Sequence, residues 1–126
     1  MGQSKSIVGE KAFAFAIMAV QTFKQLQVDK EYILSKQFLR SATSIGANIE
    51  EASAAQSKKD FIAKMSIASK ESRETHYWLR LLIATDYLNK DNALMALLEE
   101  IINMLTAIIK TSQKNLTQNP TLNPQN

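Results

Sequence analysis

Glu71, Glu74 and His76 stand close together in the stretch KESRETHYW, with Arg73 among them. Two carboxylates three residues apart share one face of a helix, a spacing that suits acid–base chemistry, and inward carboxylates with histidine are the ligands of di-iron helical bundles. Acid–base catalysis also needs a cleft and a substrate. A di-iron centre needs two Glu-x-x-His elements, whereas the residue three before the single histidine, His76, is Arg73. The chain contains no cysteine, which removes thiolate nucleophiles, thiolate zinc sites and disulfides and suits a reducing cytoplasm. There is no Ser-His-Asp arrangement, phosphate-gripping glycine loop or nucleotide fingerprint. The expectation is a protein that is not an enzyme, with no cofactor and no metal, in which His76 is a partly exposed helix residue.

The carboxylates then need a structural explanation. Steps of three and four from Ile67 to Trp78, Leu81 and Leu88 pass through Glu71, Glu74 and Thr85, so the spacing places charge on the core-facing side of a helix. Buried carboxylates normally have partners. If the chain folds back around positions 56 and 57, antiparallel register sets Arg40 level with about residue 73, within reach of both. Arg40, Glu71 and Glu74 are therefore read as an ion-paired polar centre inside the fold. Asn48 joins it from the small-residue stretch SATSIGANIEEASAAQ, whose Gly46 costs about 1 kcal/mol relative to Ala in a helix. Either a second backbone comes close at Gly46 or the helix kinks there.

Charge points to a second kind of chemistry. Between Lys58 and Arg80 there are six basic residues, Lys58, Lys59, Lys64, Lys70, Arg73 and Arg80, against three acidic ones, and the remainder of the chain is balanced, so this segment carries the whole net charge of +3. If Glu71 and Glu74 are occupied internally, the outward face is a candidate phosphate-binding surface for RNA or DNA. A solvated lysine-rich face is the plainer reading. Tyr77 and Trp78 are adjacent and point to different faces, so no aromatic stacking platform is expected, and Trp78 is assigned to the core.

These residues are positioned by four predicted helices, Ser6 to Val28, Lys30 to Gln56, Lys58 to Asn89 and Asn92 to Leu116. Only three Gly and two Pro interrupt 126 residues, and short connections between long helices give an all-α, antiparallel up-down-up-down four-helix bundle. The domain is expected over residues 1–117, with 118–126 a disordered tail. Leu34, Phe38, Ala42, Ile45, Ile49 and Ala52 mark a seam in the second helix, as do Leu94, Leu98, Ile101, Leu105 and Ile108 in the fourth. The fourth helix adds Met95, Leu97, Ile102, Met104 and Ile109, and the first carries Phe13, Phe15, Ile17, Met18, Val20 and Phe23. Faces this wide are filled either by two neighbours in the same chain or by another copy. The opening MGQSKS matches a myristoylation pattern but is read as an ordinary start. The apolar run Ala12 to Val20 has Glu10 just before it, with Lys11 between, and is far shorter than a bilayer span of about 20 residues, so no membrane association is expected.

The stretch from Ser35 to Leu82 resembles the four-helix bundle proteins encoded by intervening sequences within bacterial 23S ribosomal RNA genes. Arg40, Ser44, Ile45, Asn48, Ile49, Glu51, Ala52, Asp60, Phe61, Ala68 and Glu74 stand at the positions of the family pattern, with Ala52 where Gly is frequent. The resemblance implies a bundle that assembles as a ring-shaped homopentamer. It also implies similarity to the accessory variability protein of diversity-generating retroelements, a basic pentamer that binds nucleic acid and a reverse transcriptase. Expected partners are thus further copies of the chain together with RNA or DNA, or, in the alternative, a protein recognised by the ring.

Overall fold

The computed structural model describes residues 6–118, and all regular structure among them is helical: α1 (Ile7–Val28), α2 (Leu34–Ser53), α3 (Lys58–Ala84) and α4 (Ala93–Gln118). The myristoylation-like start and the expected tail beyond Gln118 lie outside the described residues. Three helices open on a side-chain cap. The Ser6 hydroxyl accepts from Gly9 N at 2.9 Å, the Ser57 hydroxyl from Asp60 N at 3.0 Å, and Asn92 Oδ1 from Met95 N at 3.2 Å, each satisfying an otherwise orphaned N–H.

α2 ends at Ser53, three residues short of the expected Gln56, and two larger departures share one reason. α1 ends with Lys30 N donating to Gln27 O and Glu31 N to Leu26 O, and Lys30 has φ 65°. α3 ends in the same way, with Asp86 N donating to Ile83 O and Tyr87 N to Leu82 O, and Asp86 at φ 69°. Both are Schellman ends, which put one residue in the left-handed conformation to satisfy the last carbonyls. Gly is the usual occupant, so Lys30 and Asp86 gave no sequence signal. The consequence is that α2 starts at Leu34, not Lys30, and α3 stops at Ala84, not Asn89.

Glu31 explains the start of α2. Its carboxylate accepts from the backbone N–H groups of Ile33 (3.2 Å), Leu34 (3.0 Å) and Ser35 (2.6 Å), while the Ser35 hydroxyl donates back to Glu31 O at 2.7 Å. Gln27 closes the corner by donating to the Ser35 hydroxyl at 2.8 Å. Burial by itself would raise the Glu31 carboxyl, but the N–H groups of Leu34, Ser35 and Ile33 outweigh it and hold the carboxyl below its ordinary value.

Each helix packs chiefly against two others, α1 and α3 each lying on α2 and α4. Along α1 and α2, Gly9 lies against Ile49 and Ala12 against Gly46. Along α2 and α3, Arg40 meets Glu74, Ser41 meets Thr75 and Glu51 meets Lys64, and along α3 and α4, Arg73 meets Thr106 and His76 meets Glu99. From one end of each helix pair to the other, the number on one helix falls as that on the other rises, from 9/49 to 12/46, from 41/75 to 51/64 and from 73/106 to 76/99. The core is built from Phe15, Leu26, Phe38, Ile45, Leu79, Leu82, Leu98, Ile101 and Leu105, all fully buried, with Ala12, Ala19, Ala42 and Ala68 between them.

The seam expected along α2 is buried except at Leu34, which is half-buried. α4 uses both neighbours: Met95, Leu97, Ile102, Met104 and Ile109 are partly buried against the core, so its wide face is filled within the chain. α1 is different. Phe13 is 69% exposed, and Ile17 and Val20, one and two turns further along, are exposed as well.

Candidate functional site

The core face of α3 is rotated from the one the sequence suggested. Its buried residues are Met65, Ala68, Ser72, Thr75, Leu79 and Leu82, whereas Ile67 is exposed and Trp78 and Leu81 are half-buried. The bulky residues misled because the true inward positions include two hydroxyls. Ser72 donates to Ser69 O at 2.7 Å, and Thr75 lies 2.7 Å from Glu71 O and 2.8 Å from the hydroxyl of Ser41 on α2. Ser, Thr and Ala are small enough to bring α2 and α3 together, and their polar groups are satisfied locally.

The rotation moves the carboxylates from the core to its rim. Arg40 bonds Glu74 through one guanidinium nitrogen and Glu71 through the other, the latter at 3.3 Å. The Arg40 side chain is 50% exposed and that of Glu71 14%, so the ion pair joins α2 to α3 at the edge of the bundle and is not enclosed. Glu74 also accepts from the indole N–H of Trp78 at 2.9 Å. That bond, then the bond and charge of Arg40, hold the Glu74 carboxyl below its ordinary value against the opposing effect of burial. The same Glu74 contact raises the Arg40 guanidinium. Asn48 is not part of this group: half-buried two turns along α2, it donates from Nδ2 to Ser44 O at 2.9 Å. No group of three or more His, Cys, Asp or Glu among the described residues is arranged to hold a metal, and no helix among them is long and apolar enough to cross a membrane.

The six basic residues divide. Lys64 turns toward α2 and pairs with Glu51 at 3.1 Å, and Lys58 is half-buried at the first turn. Lys59, Lys70, Arg73 and Arg80 are exposed, at spacings of 11, 3 and 7 that keep them on one face of an α-helix. None of these four has a carboxylate within ion-pair distance among the described residues. Arg80 instead lies over the ring of Tyr77, 5.8 Å from its centroid, and Tyr77 meets Trp78 edge to face.

Where this face turns toward α4 it borders an open groove of about 500 Å³ lined by Arg73, His76 and Arg80 of α3 and by Glu99, Ile102 and Asn103 of α4. His76 Nε2 lies 3.3 Å from Glu99 Oε2, and Arg73 reaches Thr106 Oγ1 at 3.4 Å. The profile of 23S rRNA-intervening sequence proteins matches residues 4–107. The chain belongs to that family. Among solved structures, this family member is similar to a protein of unknown function from the S23 ribosomal protein family of Bacteroides thetaiotaomicron VPI-5482. The two are 47% identical over 82% of this chain and 99% of that one, with a TM-score of 0.80. No curated protein matches the chain.

Three features of this family member had escaped sequence reading. The Ser41–Thr75 contact had a weak signal, since Thr75 and Ser72 continue the spacing of Ala68 and Met65 on α3. The Glu31 cap had one as well, because a carboxylate three residues before a helix can reach its free N–H groups. The groove had none: His76 and Glu99 are 23 residues apart, and only the packing of α3 on α4 makes them neighbours.

Proposed function

We propose that the chain is a non-enzymatic, antiparallel up-down-up-down four-helix bundle that assembles in the cytoplasm as a ring-shaped homopentamer and holds RNA or DNA electrostatically along α3. The observation that carries the nucleic-acid reading is the row Lys59, Lys70, Arg73 and Arg80, exposed and with no carboxylate within ion-pair distance among the described residues, while Glu71 and Glu74 of the same helix are engaged by Arg40. Lys58 extends the row at its start, and Lys64 contributes less because Glu51 already neutralises it. Such a surface positions phosphates and reads few bases. Repetition around a ring multiplies weak contacts through effective concentration. The reversed pairing of successive helices supports the bundle topology, and the apolar stripe Phe13, Ile17 and Val20 on α1 supports assembly, because a surface of this kind is normally covered.

Fluorescence anisotropy with RNA and DNA of scrambled sequence tests the binding. Affinity should fall with salt with a log–log slope of about −0.9 per neutralised phosphate on duplex DNA or about −0.7 on single strands. Lys58→Glu/Lys59→Glu should weaken it for every sequence alike. No binding at low salt, or indifference of a folded variant to the charge reversal, overturns this reading. Light scattering tests the assembly, with a species near five times 14.1 kDa expected, and a charged residue at Ile17 should dissociate it.

The same α1 stripe favours one second reading, an adaptor whose ring binds another protein through exposed apolar surface. A protein that co-purifies from nuclease-treated lysate and is lost with Phe13→Asp, while the oligomer persists, would select it.

A further inference from the structure

The groove between α3 and α4 contains more chemistry than a phosphate-holding row requires. Arg73, His76 and Arg80 follow one another at steps of three and four and so look toward the same neighbour, α4. Its volume, about 500 Å³, falls within the range of small-ligand pockets, about 300–1,000 Å³. Elsewhere on the molecule the cations that approach a neighbouring helix meet carboxylates, as Lys11 does at Glu100, Arg40 at Glu71 and Glu74, and Lys64 at Glu51. In the groove the one carboxylate, Glu99, lies 3.3 Å from His76 Nε2, and neither guanidinium group is within ion-pair distance of a carboxylate among the described residues. Arg80 is steadied by the Tyr77 ring and Arg73 by a long contact to Thr106, so both are partly ordered before any ligand arrives.

The α4 side supplies two further groups of a different kind. Ile102 is half-buried and offers an apolar surface, and Asn103 is exposed, its side chain making no hydrogen bond to any described residue. A bare anion would engage the guanidinium groups and leave these two unused. A planar guanidinium matches phosphate in a two-point contact. A carboxamide, with a donor and an acceptor side by side, matches the edge of adenine.

We propose that this groove is a pocket for one nucleotide unit. Arg73 and Arg80 hold the phosphate, Ile102 carries the apolar face of the base, and Asn103 pairs with the base edge. Glu99, level with His76 between the two arginines, opposes the phosphate by repulsion and holds His76 aside. The proposal rests on the nucleic-acid reading above and gives it a local preference, at one position of a strand, that the outer row of charges lacks.

The test is calorimetry on the folded oligomer with adenosine 5′-monophosphate alone, compared at equal ionic strength with inorganic phosphate. Adenosine 5′-monophosphate should bind about tenfold more tightly than phosphate, a difference of about 1.4 kcal/mol. Asn103→Ala should remove most of that advantage and leave phosphate binding unchanged. Arg80→Gln should weaken both ligands, and Glu99→Gln should tighten both. Lys59→Gln, outside the groove, should reduce oligonucleotide affinity and leave the mononucleotide unaffected. Equal binding of the two ligands overturns the pocket, as does a nucleotide preference undiminished by Asn103→Ala, or a phosphoserine peptide that binds as well as the nucleotide. Because the mononucleotide is titrated directly, the outcomes separate. Oligonucleotide binding without mononucleotide preference removes the groove and keeps the outer row, whereas mononucleotide binding without oligonucleotide binding does the reverse.

Discussion

The hydroxyls of Ser41 and Thr75 lie 2.8 Å apart in the seam between α2 and α3, both fully buried. Each also has a backbone carbonyl in reach, Phe38 O for Ser41 at 3.2 Å and Glu71 O for Thr75 at 2.7 Å. The pair is therefore satisfied without water. Thr75→Val keeps the shape and removes the hydroxyl, and should cost about 1 kcal/mol in chemical denaturation. The double variant Ser41→Ala/Thr75→Val should cost less than the sum of the single changes, because replacing both partners leaves no stranded polar group. Additive single effects would mean that the two hydroxyls act independently.

Arg40→Ala should destabilise by about 1–2 kcal/mol, between the 0–1 of exposed pairs and the 3–5 of buried ones. Arg40 is half in solvent, but its removal leaves Glu71 and Glu74 side by side without their cation. The pH dependence has a definite sign. Glu74 is depressed in the folded state, so its contribution is fully present above the unfolded glutamate value of about 4.3 and is lost as the pH falls through the lower folded value. Denaturation from pH 7 to pH 3 should show wild type and Arg40→Ala converging at the acid end.

Glu31→Gln should shorten or fray the start of α2. The carboxylate serves three backbone donors, and an amide that accepts through one oxygen cannot match it. A loss of about 1 kcal/mol is expected, in the range of helix caps, with faster amide hydrogen exchange at Ile33, Leu34 and Ser35. Glu31 is also depressed, so the difference from wild type should be present near neutral pH and shrink as acid protonates the native carboxylate.

Gly46 and Lys30 make an opposed pair. A Cβ on Gly46 would meet Ala12 Cβ at 3.6 Å and Ala12 O at 3.7 Å, ordinary contact distances, so Gly46→Ala fits and should stabilise by up to about 1 kcal/mol through helix propensity. Lys30 has φ 65°, where a non-glycine residue costs about 1–2 kcal/mol. Lys30→Gly should therefore raise the melting temperature despite the greater freedom of Gly in the unfolded chain. A lowered melting temperature for Gly46→Ala would show that α1 and α2 pack more closely at Ala12 and Gly46 than these distances indicate.

The sequence by itself determined four helices and no competing class, because apolar residues at steps of three and four, few Gly or Pro and short polar breaks leave no other arrangement. It also determined the partners of Arg40, since a fold-back near position 56 makes register a matter of counting. Tertiary structure decided how deep those partners lie. The bulk of Trp78 and Leu81 points to one face of α3, while the actual seam uses Ala68, Ser72 and Thr75, whose small size matters only once α2 is pressed against them. The helix ends at Lys30 and Asp86 were likewise invisible, because a backbone that turns left-handed at a residue other than Gly is driven by the contacts on either side. The clearest case is the α3–α4 groove. Arg73, His76 and Arg80 could be seen to share a face, but Glu99, Ile102 and Asn103 become their neighbours only through the packing of two helices whose relative rotation depends on every side chain between them.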